Sequence, residues 1–549
     1  GFATIGEVNQ PGVGGIRISI KGTSTETVSD NDGEYRINIL DDDAVLVFSY
    51  PGMIAQEIAV GERSRIDVDL EKIPMPAPQT FEATDIGIVL NENTSQIEKN
   101  VADVLKRRLQ QHSQVEVDIS QQPNESSDLK IYLGIANKSE RLDRLCNDHH
   151  VVLPGRRMPA AEGYAVKMLE INGAPVIIAV GIDHRAVLYA AGEILRQVKA
   201  NPLSVSFKTF AISTAPAYRF RGGNDSQGGS MRKITGARAW TTEEWQRTML
   251  DYAFAGANCF YGSWNEGGER NDFIKSFDLM STVGIRPNQY EEEYPAEWKA
   301  SGLSAWEGDK WICPSIPEAR ATLIEQWTKK IEDLGEHDIL RFYAGDPGGC
   351  RCDRCMPWGK TFALLSKDIA RIALEKNPDL TVMLANQDLS NEGDQALFDY
   401  LASKPQPWLY GLAYGPGSNA MSWYFRRELN DEMFAYPGNG WLNRYLAETL
   451  NSLPKDQKIV HYSDITHWIL SQYNVEHPER NIVKSYGRRT WHTRPRALHK
   501  IFQAIMPFSQ GDIIYTEGYH DHFNQYFWQR LLWNPHQEAD EVVQDYCRI

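Results

Sequence analysis

Basic residues are in deficit: 57 Lys and Arg stand against 73 Asp and Glu, a formal charge of −16. That balance argues against nucleic acid and anionic membranes as partners, since both select basic patches. No apolar run approaches the roughly 18 residues that a transmembrane helix needs, so no spanning segment is expected. Cysteine is sparse, 7 in 549 residues, which excludes a dense disulfide framework. The chain opens Gly1-Phe2-Ala3 without Met, which reads as a processed or trimmed N-terminus. The lack of a signal peptide then says nothing about destination.

What remains is ordinary for globular protein in bulk, with 42% hydrophobic and 24% charged residues. The length exceeds one core, so two to four domains are expected. Aromatics are plentiful, with 15 Trp and 24 Tyr. Many must be core, yet an excess of Trp also suits sugars, whose C–H faces stack on indole.

The C-terminal part carries a series of short apolar runs, each ending in residues that chemistry uses. They are Cys259-Phe-Tyr-Gly-Ser-Trp-Asn-Glu266, Leu340-Arg-Phe-Tyr-Ala-Gly-Asp346, Leu380-Thr-Val-Met-Leu-Ala-Asn-Gln-Asp388, Trp408-Leu-Tyr-Gly-Leu-Ala-Tyr414, Lys458-Ile-Val-His-Tyr-Ser-Asp464 and Ile513-Ile-Tyr-Thr-Glu517. Helical apolar spacing lies between most of them, as over Ala319 to Leu334 and Thr361 to Glu375. Strand, polar tip and helix in repetition predict a (β/α)8 TIM barrel, whose active site is built at the C-terminal ends of its strands. The expected fold is therefore multidomain: a β-sandwich over 1–73, a small α/β domain over 81–215, and the barrel over 216–549.

The first segment alternates in Gly14-Gly-Ile-Arg-Ile-Ser-Ile-Lys-Gly22, Glu34-Tyr-Arg-Ile-Asn-Ile39, Ala44-Val-Leu-Val-Phe-Ser-Tyr50 and Arg65-Ile-Asp-Val-Asp-Leu70, with a turn at Asp30-Asn-Asp-Gly33. This order resembles the carboxypeptidase regulatory-like domain found ahead of many Bacteroidetes glycan-handling proteins. The resemblance implies export, to the periplasm, the cell surface or beyond, and no catalysis. Ile73-Pro-Met-Pro-Ala-Pro78 reads as a stiff linker. Helices are predicted at Ser95–Gln111 and His184–Gln197, and strands at Ile86–Leu90, Leu129–Gly134, Tyr164–Ile171 and Val176–Val180. The run from Gly181 to Leu195 resembles the small domain before the barrel of β-hexosaminidases and α-glucuronidases. There it buttresses the barrel, so His184 and Arg185 read as a helix start. Ala217-Tyr-Arg-Phe-Arg-Gly222 resembles the first barrel strand of the same enzymes, which often continue into a helical C-terminal domain beyond the length present here.

Glycoside hydrolysis ordinarily needs two carboxyl groups, about 5–5.5 Å apart for retention and about 6.5–9.5 Å for inversion. The strand tips offer Glu266, Glu291 to Glu293, Asp346, Asp388, Asp464 and Glu517. Glu517 is the first choice for acid or nucleophile, with Asp346 or Asp464 as its partner. Trp264, Asn265, Glu266, Tyr290, Asn386, Asp388, Tyr414, His467, Trp468 and His520 are the expected substrate contacts, combining hydrogen-bonding groups with stacking rings. A metal at His520, Asp521 and His522 is disfavoured by their spacing. The fourth tip, Gly345-Asp346-Pro-Gly-Gly, lacks the Asp-Glu pair of β-hexosaminidases and the Asp-Asp pair of O-GlcNAc hydrolases. Tyr294-Pro-Ala-Glu-Trp298, Ile312-Cys-Pro-Ser-Ile-Pro-Glu318, Gly345 to Cys355 and Tyr526 to Pro535 together resemble a Bacteroidetes glycosidase group that includes endo-β-N-acetylglucosaminidases acting on N-glycans.

The expected activity is thus two-carboxylate hydrolysis of complex glycans or polysaccharides, with N-acetylhexosamine as a candidate sugar and no catalytic cofactor. The alternatives are α-glucuronidase-like action on uronic acids, for which Arg219, Arg221 and Arg341 offer charge, and non-catalytic glycan binding. Cys313, Cys350, Cys352 and Cys355 fall in neighbouring loops and are expected to form one structural cluster. Zinc and disulfide both fit at this point.

Overall fold

The computed structural model describes residues 1–5, 16–23, 25–29, 33–39, 41, 43–50, 53–61, 63–71, 79–154, 162–223, 238, 240–262, 268–302, 310–332, 337–345, 349–415, 418, 444–465, 493–516 and 521–548. Two compact units emerge, Gly1–Arg219 with two short later segments, and Phe220–Lys275 with Leu279–Tyr546.

In the first unit, Arg17–Ile20 pairs antiparallel with Glu26–Val28 and with Val45–Ser49, and the latter pairs with Gln56–Ala59. Phe2–Ile5 pairs parallel with Asp67–Leu70. Alternation in the sequence becomes alternation in burial, and Ile18, Leu46, Phe48, Val68 and Leu70 meet in one core. Residues 34–39 also alternate but form no strand among the described residues. Tyr35 is nonetheless sunk in the core, its ring edge-on to Phe48 at 5.5 Å and its hydroxyl donating to Ile66 O at 2.7 Å.

The same unit holds a six-stranded mixed sheet, ordered Phe210–Thr214, Tyr164–Ile171, Ala174–Gly181, Leu129–Ile135, Asp85–Val89 and Glu116–Ser120. Its helix Gln96–Gln110 starts at a capping box, in which Ser95 accepts from Glu98 N and Glu98 reaches back to Ser95 N. Helix His184–Gln197 is capped by Asp183, as the reading of His184 and Arg185 as a helix start requires.

The second unit is a closed parallel barrel. Its strands are β1 (Phe220–Gly223), β2 (Cys259–Tyr261), β3 (Met280–Ile285), β4 (Ile339–Tyr343), β5 (Thr381–Ala385), β6 (Gly411–Tyr414), β7 (Lys458–His461) and β8 (Gly511–Ile513). Closure comes from β1 pairing with β8, Phe220 opposite Gly511 and Gly222 opposite Ile513. The lumen is filled by Phe220, Cys259, Ile339, Met383, Ala385, Ala413, Val460 and Ile513. Residues between them in sequence face the surrounding helices. Arg221 donates to Gly256 O at 2.6 Å and lies over Trp533 at 5.4 Å. Helices Pro317–Glu332 and Trp358–Lys376 follow the apolar spacing read from the sequence, displaced by a few residues.

Candidate active site

Parallel strands put all eight C-terminal ends at one mouth. Just below it lies a feature built from three strands that do not adjoin one another. Arg341 of β4 is fully buried, its guanidinium 4.6 Å from the ring centre of Tyr261, 5.6 Å from Tyr343 and 5.4 Å from Tyr462. Only the lumen lets β2, β4 and the end of β7 meet, so these side chains occupy it. Burial opposes the charge of Arg341, but the surrounding phenols, Tyr261 foremost, hold its pKa above the ordinary arginine value. Burial likewise raises Tyr462 well above the usual phenol range. The aromatic layer continues from Tyr343 to Tyr462 at 5.6 Å and on to Tyr515 at 6.0 Å. The three phenols around the guanidinium were missed as site residues in the sequence. Their signal was the i, i+2 alternation in Cys259-Phe-Tyr261, Arg341-Phe-Tyr343 and Val460-His-Tyr462.

Beyond the ends of β7 and β8 the chain keeps its pairing. Asp464 forms a parallel bridge with Tyr515, and Tyr515 N donates to Ser463 O at 2.8 Å. Asp464 is 1% exposed and shares the strand face of Tyr462 by alternation. Below it, Asp512 faces outward, accepting from Ser463 N and from Trp528 Nε1, each at 3.0 Å. Burial lifts its carboxyl to about 6 while these donors and Arg341 pull the other way.

The other expected residues divide. Asn386 follows lumenal Ala385 and turns away from the lumen, donating to Asp394 at 2.8 Å. Asp388 is exposed, with a left-handed φ of 57°, and a Cβ on Gly345 would lie 2.7 Å from its Cβ. Tyr414 is buried edge-on against His461 at 5.7 Å, and His461 Nε2 contacts Ile505 O at 3.2 Å. Since His461 alternates with lumenal Tyr462, Tyr414 stands on the helix side of the wall, a correction to its expected place at the mouth. Tyr290 is nearly buried in the loop after β3, edge-on to Tyr294 at 6.2 Å. Glu291 to Glu293 do not end a strand: β3 stops at Ile285, all three are exposed, and Glu291 pairs with Lys330 at 2.7 Å. Glu517, Asp346, Trp264, Asn265, Glu266, His467, Trp468 and His520 lie outside the described residues. Asp521 and His522 diverge: Asp521 accepts from Thr516 at 2.6 Å, while His522 sits between Asp251 at 3.1 Å and Tyr546 at 3.0 Å.

The four cysteines converge. The sulfurs of Cys313, Cys350, Cys352 and Cys355 all lie within 4.8 Å of one another. None is in a disulfide.

No known family's sequence profile matches the chain. A TonB-dependent receptor of Formosa agariphila is 38% identical over 80 residues, covering 13% of this chain and 8% of the receptor. The chain thus spans under a tenth of that relative. Among solved structures, an exo-β-N-acetylglucosaminidase of family GH20 from Vibrio harveyi superposes with a TM-score of 0.50 at 10% identity, covering 92% of this chain and 83% of that one. A family GH115 4-O-methyl-α-glucuronidase with specificity for decorated arabinogalactans gives 0.51 at 12% identity, covering 85% and 58%. At such identities the likeness establishes the fold.

Proposed function

We propose that the chain is a glycoside hydrolase acting on complex glycans or polysaccharides at the C-terminal mouth of its barrel. The observation that carries this reading is the buried carboxyl of Asp464, set at the β7–β8 seam beside Tyr515 and over a lumen lined with phenols. A carboxylate kept at the active end of a parallel barrel, among rings able to stack on sugars, suits acid/base or nucleophilic work on a glycosidic bond. Glu517, two residues beyond Tyr515 in sequence, is assigned as acid or nucleophile, with Asp464 or Asp346 as its partner. The missing Asp-Glu pair at the fourth tip argues against substrate-assisted hexosaminidase chemistry. N-acetylhexosamine remains the first sugar class to test, given the fold likeness to a β-N-acetylglucosaminidase. Residues 1–73 and 81–215 are assigned as an accessory sandwich and an α/β domain of an exported protein.

Arg341 favours a second reading. Among the described residues its guanidinium meets no carboxylate, and its charge rests on the rings and hydroxyls of Tyr261, Tyr343 and Tyr462. A cation so placed favours an anionic sugar above it, and therefore uronic-acid substrates.

The test is release from a panel of N-acetylhexosamine-bearing and glucuronate-bearing glycans, with anomeric configuration followed by NMR. Glu517→Gln is expected to lower turnover by about 10²–10⁴-fold with sugar affinity retained. Near wild-type turnover would remove Glu517 from the mechanism. Failure of Glu517→Gln, Asp346→Asn and Asp464→Asn alike to reduce turnover would reject the two-carboxylate assignment. Binding without turnover by the wild type would leave a glycan-binding protein.

A further inference from the structure

We infer that Cys313, Cys350, Cys352 and Cys355 form a closed structural zinc site that clasps the loops following β3 and β4. The argument begins with distances. Cys313 Sγ lies 3.7 Å from Cys352 Sγ and 3.6 Å from Cys355 Sγ. Four thiolates around zinc, each bonded at about 2.3 Å in a tetrahedron, hold their sulfurs about 3.8 Å apart. A disulfide needs about 2.05 Å and joins only two. Here four sulfurs are mutually close, three of them from buried residues, and they come from two loops well separated in sequence. Hydrophobic packing needs no such convergence of four thiols.

The surroundings suit thiolate ligands. Ser301 N donates to Cys350 Sγ at 3.5 Å, and Ser315 Oγ lies 3.0 Å from Cys355 Sγ. Such outer groups orient ligands and offset sulfur charge. Cys352 and Cys355 share one tight turn, with Cys355 N and Met356 N both donating to Cys352 O. This presents two sulfurs from four consecutive residues, as metal-binding turns do. With four cysteines and no open position, the site suits structure rather than catalysis.

What the ion would hold is equally specific. Asn288, just after β3, exchanges hydrogen bonds with Gly349 at 2.8 and 3.1 Å, and Arg351 N donates to Ser301 O at 2.9 Å. These bonds already stitch the two loops. The metal adds a bond network at their outer end and so fixes the chain that leaves β4 at the mouth.

The test uses the full chain, purified without a metal-affinity step. Elemental analysis is expected to give close to one zinc per chain. Replacement by cobalt(II) should yield the visible absorption of a tetrahedral thiolate site. Cys355→Ser and Cys313→Ser should lose most of the metal, whereas Cys146→Ser should keep it. Because the cysteine variants risk misfolding, the wild type is also treated with a strong chelator. Melting temperature should fall, alkylation of the four thiols should accelerate, and added zinc should reverse both. A protein that holds no zinc and takes none up under reducing conditions overturns the proposal. So does peptide mapping that finds a disulfide between any two of the four.

Discussion

Asp394 sits where a carboxylate is poorly solvated, in the first turn of helix Asn391–Ser403 and 6% exposed. Burial raises its pKa from the ordinary range to about 7, against the opposing pull of the Asn386 amide. A folded-state pKa above that of the unfolded chain means that ionisation costs stability. The cost is full above pH 7 and disappears as pH falls through the ordinary carboxylate range near 4. At about 1.4 kcal/mol per unit it amounts to at most roughly 4 kcal/mol. Asp394→Asn keeps an acceptor for Asn386 and cannot ionise. The variant should be more stable than wild type at pH 8, with a flatter profile of melting temperature between pH 4 and 8. Coincident profiles would show that Asp394 titrates normally. Residues also mark where the sequence misleads. Glu291 and Asp464 read alike as acids near strand ends, yet one is paired at the surface and the other is buried at a seam. No local pattern distinguishes them, because the difference lies in where β3 and β7 stop.

Among elements, legibility followed the strength of the apolar run. Strands β4 to β7 carry long runs of Val, Leu, Ile and aromatics and stand close to where the sequence puts them. β3 was harder to read, since Ser281, Thr282 and Gly284 interrupt it. Ser281 finds its partners among neighbours invisible in a linear reading, Asp338 accepting from Ser281 N at 2.7 Å and His337 meeting Ser281 Oγ at 2.9 Å. Helix contacts supply a sharper test. Helices Trp358–Lys376 and Asn391–Ser403 approach so closely at Gly359 that an added Cβ would stand 1.9 Å from Gly393 O. Backbone cannot yield as a side-chain tip can, so Gly359→Ala should destabilise the barrel by about 1–3 kcal/mol. Leu364→Ala, on the exposed face of the same helix, should stay within about 0.5 kcal/mol. Chemical denaturation of both variants compares them. Equal stability would mean the helices separate without cost.

For the molecule as a whole, the charge of −16 sets expectations for partners. Little retention is expected on immobilised heparin or duplex DNA at about 0.15 M salt, where long-range repulsion is screened but attraction still needs basic patches. Strong, salt-sensitive retention would point to a local basic face hidden by the total. Architecture was legible as strand and helix in repetition. Closure was implied by the expected eight strands, whereas the register that closes the barrel, Phe220 opposite Gly511, was not legible, because it depends on pairing between the first and last strands.

That pairing has a consequence for how the protein is made. β1 and β8 are ~290 residues apart, yet Phe220 lies opposite Gly511. During synthesis β1 leaves the ribosome early and waits with one edge unpaired until nearly the whole barrel has followed. Seven strands without the eighth present two open edges, the usual route to intermolecular pairing. A chain stopped at residue 505 should therefore collect as aggregate or on chaperones. One stopped at residue 548 should be released soluble, a difference that pelleting of translation products measures directly.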